Sequence, residues 1–263
     1  MPKMLPVKQK MNWRLWVRLA VWSMGLAGIA LGAHEVNAFL RHDSRFELAC
    51  GIGETACSTL EIRGAVHSNK ARMQSVFTED FGGSVFRIPL AERRRHLLAV
   101  DWVGTASIER VWPNRLVVTV TERTPVAFAK LPMGDTARYR LALIDRDGVL
   151  LPIPGRVRFH LPVLSGVTEE QSEADRRLRV KAAQNLLDEL GPEAKEISEV
   201  NAGNPQDMRV VTGIDGHAVE LWMGDQRFRA RYQNFVSHYA EMRKHSEEAG
   251  VFDLRMDDRI LAK

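Results

Sequence analysis

The sequence predicts an α+β protein. It would have a single N-terminal transmembrane helix, a small β-α-α-β-β domain, and then a strand-rich domain with two helices. Three observations carry this expectation. An uncharged apolar run lies near the N-terminus. Beyond it, hydrophobic residues switch between a period of two and a period near 3.6. Gly and Pro punctuate those patterns at short intervals. At 263 residues the chain has room for one large domain or two modest ones. With 45% hydrophobic residues and no low-complexity tract it is neither disordered nor fibrous. Its two cysteines exclude a disulfide-built miniprotein and a four-cysteine zinc site.

The net charge of +4 is unevenly placed. Lys3, Lys8, Lys10, Arg14 and Arg18 precede any acidic residue, and the other 32 basic residues nearly balance 33 acidic ones. The basicity therefore belongs to the N-terminus, and no general nucleic-acid-binding surface is expected.

Residues 1–14 read as a cytoplasmic tail and 15–33 as the transmembrane helix. Leu19–Ala33 carries no charge, and adding Leu15, Trp16 and Val17 gives a run interrupted only by Arg18. Such a helix spans about 28 Å, close to the hydrocarbon thickness. Arg18 can reach the headgroups along its own stem. Trp13, Trp16 and Trp22 suit an interfacial belt, and the preceding positive charges keep the N-terminus in the cytoplasm. The rival reading is a cleaved signal peptide, with Ala30-Leu31-Gly32 or Val36-Asn37-Ala38 at the cleavage site. The length of the run favours an anchor.

Residues 34–57 read as a linker. Cys50 and Cys57 would lie where disulfides persist. A bond between them closes an eight-residue loop and contributes about 2.5 kcal/mol through chain entropy. It would suit a hairpin, with FELAC leading in and CSTLEIRG leading out. Two buried thiols are the other reading. Gly51–Ala56 loosely matches a dinucleotide fingerprint, but strand-like sequence follows it where a helix is required.

Residues 58–127 form the first domain. Thr59–Arg63 alternates and ends at Gly64. Met73, Val76 and Phe77 share a helical face within 69–77. Pro89 opens a second helix with Leu90, Leu97 and Leu98. Ala106–Val111 reads as a strand, Pro113-Asn114 as a turn, and Leu116–Val120 as a half-buried strand. Two helices must then cover one face of a three-stranded sheet.

Residues 128–263 form the second domain. Arg140–Ile144 and Val149–Ile153 flank a turn at Asp145–Gly148. Thr168–Gln171 has a capping-box pattern, followed by Ala174, Leu178, Ala182, Leu186 and Leu190 at four-residue spacing until Gly191-Pro192. Met208–Thr212 and His217–Met223 read as paired strands. A helix from about Asp225 carries Phe228, Tyr232, Phe235, Tyr239 and Met242 on one stripe, read as core. Val251–Met256 and Ile260–Ala262 end the chain as extended segments.

The stretch Ile62-Arg63-Gly64, Val103, Ala106, Ile108, Arg110-Val111-Trp112-Pro113-Asn114-Arg115-Leu116, Val120, Glu122-Arg123, Pro125-Val126-Ala127 resembles a POTRA domain. More narrowly, it resembles that of the bacterial cell-division family FtsQ/DivIB. Ile144–Leu150 and Phe252–Asp257 resemble that family's second, β-rich domain. The resemblance implies a non-catalytic bitopic scaffold of the cell inner membrane, without a cofactor, its domains periplasmic and concentrated at the division septum. It implies that FtsB- and FtsL-like coiled-coil proteins dock on the C-terminal strand and other division proteins on the POTRA domain. By this likeness Phe252, Leu254, Arg255, Met256 and Asp258 are the expected partner contacts, through addition of a strand to an open sheet edge; the other reading is that Phe252, Leu254 and Met256 merely close the sheet.

Two other classes compete. Leu141–Leu150 matches the first motif of haloacid-dehalogenase-type phosphatases, in which Asp145 would attack phosphorus and Asp147 protonate the leaving group. That chemistry needs the pair at the carboxyl end of a parallel strand, whereas the surrounding pattern is antiparallel. An outer-membrane assembly or secretion component would need a closed barrel, for which residues 128–263 hold too few alternating strands. The histidines show no metal spacing. Arg93-Arg94-Arg95 and Arg227, Arg229, Arg231 read as solvated helix faces.

Overall fold

The computed structural model describes residues 13–50, 57–134, 138–155, 157–245, 249–256 and 259–263. The chain divides into two compact units between Thr121 and Glu122.

The first unit opens with α1, Trp13–His42, whose segment from Trp16 onward has the length and apolar composition to cross a membrane once. The helix runs nine residues beyond Ala33, into the expected linker. No Gly or Pro breaks it there. Asp43 stops it: its backbone is extended, and its carboxylate accepts the Arg45 amide at the start of a short 3-10 helix. Among the described residues, the segments flanking the cysteine loop do not pair with each other as the expected hairpin. Phe46–Leu48 instead pairs with Gly82–Val85, and Leu60–Arg63 (β1) pairs with Arg115–Glu122 (β3). Between β1 and β3 come α2 (Lys70–Ser75), α3 (Leu90–Leu98) and β2 (Val103–Val111). The sheet order is β1-β3-β2, with β1 parallel to β3 and Leu60 opposite Leu116. Met73, Phe77 and Leu97 from the helical layer meet Leu116, Val118 and Val120 in the core. Gly64 lets β1 pass β3: its φ is +81°, and a Cβ there would strike the Val120 carbonyl. The arginine triplet on α3 is not simply a solvated face. Arg93 is buried and its Nε donates to Asp80 at 2.7 Å, because its position shares the inward face with Leu97. Arg94 and Arg95 are exposed, and Arg94 Nε donates to the Ala106 carbonyl at 2.7 Å.

The second unit begins with β4, Pro125–Pro132, which pairs with β5, Tyr139–Asp145. Pro125-Val126-Ala127, expected as the exit of the first domain, thus opens the second sheet. Chain order continues with β6 (Leu150–Leu151), β7 (Val163–Ser165), α4 (Glu173–Leu190), β8 (Ile197–Asn201), β9 (Met208–Ile214), β10 (His217–Gly224), α5 (Phe228–His245), β11 (Val251–Asp253) and β12 (Leu261–Ala262). Their spatial order is β12-β11-β10-β9-β8-β7-β4-β5-β6, an open sheet with two ends rather than a closed barrel. Parallel pairs (β4 with β7, β7 with β8, β10 with β11) interrupt the antiparallel hairpins.

Both long helices bury a face against this sheet. On α5, Phe228, Tyr232, Phe235 and Tyr239 are core residues, as their spacing indicates. On α4 the reading was rotated. Ala174 and Leu178 are exposed, and Arg176, Val180, Ala183, Leu186 and Leu190 face inward. Steps of four residues drift by about 40° each, so five residues spaced this way cannot share one face. The helix starts at Ser172, whose hydroxyl accepts the Asp175 amide, and not at Thr168. Arg176 is buried without a carboxylate. It donates to the carbonyls of Gly148, Glu169 and Gln171, fixing the β5–β6 turn against the start of α4.

Candidate partner-binding edge

The site is built from three strands and the segment that follows β11. Phe252 stands opposite Leu221 on β10 and Ala262 on β12, so β11 is an interior strand and not the edge. Phe252 is fully buried, its ring 5.0 Å from that of Phe235. Leu254 is 2% exposed and its amide donates to the Trp222 carbonyl at 3.0 Å. Both side chains pack in the core and close the sheet, and Leu254 also borders the groove beside β12. Arg255 and Met256 are exposed, Met256 at 46%. Asp258 lies outside the described residues.

The end of the sheet is β12. Lys263 N donates to Val251 O at 2.9 Å, which sets the antiparallel alternation. Ala262 then directs its N–H and C=O away from β11, into the row a further strand would occupy. Leu261 is exposed, whereas Ile260 packs on the core. Beside this edge a groove of about 210 Å³ is lined by Ala230, Asn234, Leu254, Met256 and Ile260 together with Arg227 and Arg231. Arg231 spans its floor, with Nη1 donating to Met223 O and Nη2 to Arg255 O.

Residues that sequence reasoning passed over organise the face of the edge. The Trp222 ring is covered by Arg209, Arg255 and Lys263, with their cationic atoms 4.3, 4.9 and 3.4 Å from its centroid. Its Nε1 donates to Glu220 at 2.8 Å. The signal was legible in the alternation: Val219, Leu221 and Met223 point inward, so Trp222 is a large aromatic at an outward position. Asp253 neutralises the cations from below. Its side chain is 5% exposed, and it accepts from Arg255 and Lys263. The Arg255 guanidinium, against the opposing cost of burial, holds the Asp253 carboxyl well below the usual carboxylate range, and the same pairing raises Arg255.

The other expected sites resolve as follows. The sulfurs of Cys50 and Cys57 come together with Cα atoms 4.8 Å apart, within the span a disulfide requires. The loop between them lies outside the described residues. Asp145 is 3% exposed and its oxygens are engaged: Oδ1 accepts the amides of Asp147 and Val149, and Oδ2 meets Arg123 at 2.7 Å. It pins an antiparallel hairpin, with Gly148 (φ +80°) pressed on α4 where a Cβ would sit 2.6 Å from Glu173 O. A phosphatase would present this carboxylate at the mouth of a parallel strand, and here it is a turn.

Comparison with known proteins supplies the deciding observation. The description "Cell division protein FtsQ/DivIB, C-terminal" matches residues 136–255, and "POTRA domain, FtsQ-type" matches residues 55–123. A protein from Koribacter versatilis named "Cell division protein FtsQ" is 31% identical over 264 residues, covering 98% of this chain and 72% of that one. The chain belongs to the FtsQ/DivIB family of cell-division proteins. Relatives of the same name occur in Novosphingobium aromaticivorans, 28% identical over 91% of this chain and 68% of its own, and in Allochromatium vinosum, 25% identical over 78% and 76%. The FtsQ-type POTRA match ends at residue 123, close to the division between the two units. The FtsQ/DivIB C-terminal match ends at Arg255, so β12 lies beyond it.

Proposed function

We propose that this division protein is a bitopic, non-catalytic scaffold that captures an FtsB/FtsL-type coiled-coil pair by strand addition at β12. It would thereby link early and late division proteins and regulate septal peptidoglycan synthesis. The observation that carries this reading is the outward-facing backbone of Ala262, flanked by exposed Leu261 and Met256. A partner strand would hydrogen-bond to that row, and the groove beside Met256 would take one of its side chains. The α1 helix anchors the chain, with the N-terminus cytoplasmic and both folded units periplasmic. In that compartment Cys50 and Cys57 would form a disulfide joining the stalk to β1. The POTRA domain would dock other division proteins.

The test is capture of FtsB- and FtsL-like proteins by the tagged chain from a dividing bacterium, beside imaging of a fluorescent fusion. The reading expects both partners in the eluate and a band at midcell. A diffuse membrane signal with neither partner retained would reject it.

A further inference from the structure

The Trp112-Pro113-Asn114 turn is prominent in the sequence and plays no part at the C-terminal edge. Its place follows from a chain of contacts that begins on α1. Phe39 meets Phe46 at 5.6 Å between ring centroids, and Phe46 meets Phe86 at 5.4 Å. Ser84 Oγ donates to Leu40 O at 2.6 Å. Leu48 N donates to Gly83 O, Gly82 N to Leu48 O, and Val85 N to Phe46 O, all within 2.9–3.1 Å. The segment after α1 is thus strapped to the first domain by backbone hydrogen bonds and by the buried Phe46 ring, which Phe39 and Phe86 flank. Arg110, two residues before Trp112, donates Nε to Val85 O and Nη2 to Ile88 O, each at 2.7 Å. Leu116 N donates to Thr59 O, which brings the start of β3 to the start of β1. The turn therefore stands at the strapped end of the three-stranded sheet, and Val66 leaves β1 at the other end.

Phe39 follows Ala33 by six residues, about 9 Å along a helix axis. The headgroup layer is roughly 5–8 Å deep beyond the hydrocarbon. Phe39 thus stands at the outer margin of the headgroup layer, and the surface of the strapped end has the chemistry of that layer. Trp112 is 76% exposed, Phe39 48% and Phe86 36%, while Arg41, Arg87 and Arg115 are exposed around them. Exposed aromatic rings interleaved with arginine suit an interface where one side is apolar and the other anionic.

We propose that this end of the first domain rests on the membrane, with Trp112 and Phe86 in the interfacial layer and Arg41, Arg87 and Arg115 facing anionic phospholipid headgroups. The proposal rests on the reading that α1 crosses the membrane. It makes α1 and the first domain one rigid piece, and gives that domain a fixed height above the bilayer.

The test uses the full chain with p-benzoylphenylalanine at position 112 or, as control, at position 66. The protein is reconstituted in nanodiscs of phosphatidylcholine alone or mixed with phosphatidylglycerol. After irradiation, lipid adducts are expected at 112 and not at 66, several-fold more abundant with phosphatidylglycerol. Replacing Arg41, Arg87 and Arg115 together by Ser should flatten that dependence. Absence of adducts at 112 in a chain that resists carbonate extraction overturns the proposal, as do equal adducts at 66. Capture of protein alone at 112 in living cells also overturns it, by making this end a protein interface. Release by carbonate refutes instead the membrane-crossing reading beneath it.

Discussion

Arg255 grips Asp253 with both arms of its guanidinium, Nε at 2.8 Å from Oδ1 and Nη2 at 2.6 Å from Oδ2. The pair joins the end of β11 to the face that carries Trp222, so the electrostatics of the edge and its folding are coupled.

That coupling has a pH signature. The folded carboxyl of Asp253 titrates below its unfolded value, because Arg255 donates to its ionised form. Its stabilisation is complete above the unfolded pKa near 4 and is lost as pH falls through the folded pKa. Asp253→Asn should lower stability at neutral pH by about 1.5–2 kcal/mol, the low end for a hydrogen-bonded charge because Arg255 is 40% exposed. Between pH 5 and 2 the gap between variant and wild type should narrow steadily in urea denaturation. A constant gap across that range would contradict the assignment.

Neighbouring positions after β11 should separate folding from binding. Leu254→Ala removes a buried side chain and should cost about 2–5 kcal/mol. Met256→Ala should stay within about 0.5 kcal/mol of wild type in the same denaturation series. In pull-downs, Met256→Ala should nevertheless weaken partner capture.

Arg93 and Arg95 make a matched pair in the first domain. Arg93→Ala leaves the Asp80 carboxylate, itself 9% exposed, without its partner and should destabilise the domain by about 3–5 kcal/mol. Arg95→Ala should be nearly silent. Hydrogen exchange in β1 and β3 reads the difference.

Cys50 and Cys57 should resist maleimide in the purified chain until a reductant is added, and then take up two labels. Immediate labelling would mean free thiols.

Much of this architecture was legible in the sequence where the pattern is local. The aromatic stripe on α5 has true helical period, and the hairpins around Asp145–Gly148 and Gly213–Gly216 carry their own turn residues. What escaped was non-local or too short to have a pattern. β7 is three residues long and β12 two, and both find partners far away in the chain. Ile260–Ala262 reads as extended, but so short a segment carries no alternation to say that it pairs with β11 and forms the end of the sheet. The sequence leaves the extension of α1 open: nothing between Ala33 and Asp43 breaks a helix, and no apolar period there requires one. The outward position of Trp222 is legible in the alternation of β10, but the cations that cover it come from β9 and from the segments after β11 and β12, which the sequence does not bring together.

The most direct test of the central claim is Ala262→Pro. By this register the N–H of Ala262 points away from β11, so proline at 262 removes an outward N–H and adds bulk where a partner strand would lie. Melting should be unchanged while capture of FtsB- and FtsL-like proteins falls about tenfold or more, as loss of a strand's main-chain pairing requires. Undiminished capture by a folded Ala262→Pro chain would contradict strand addition at β12.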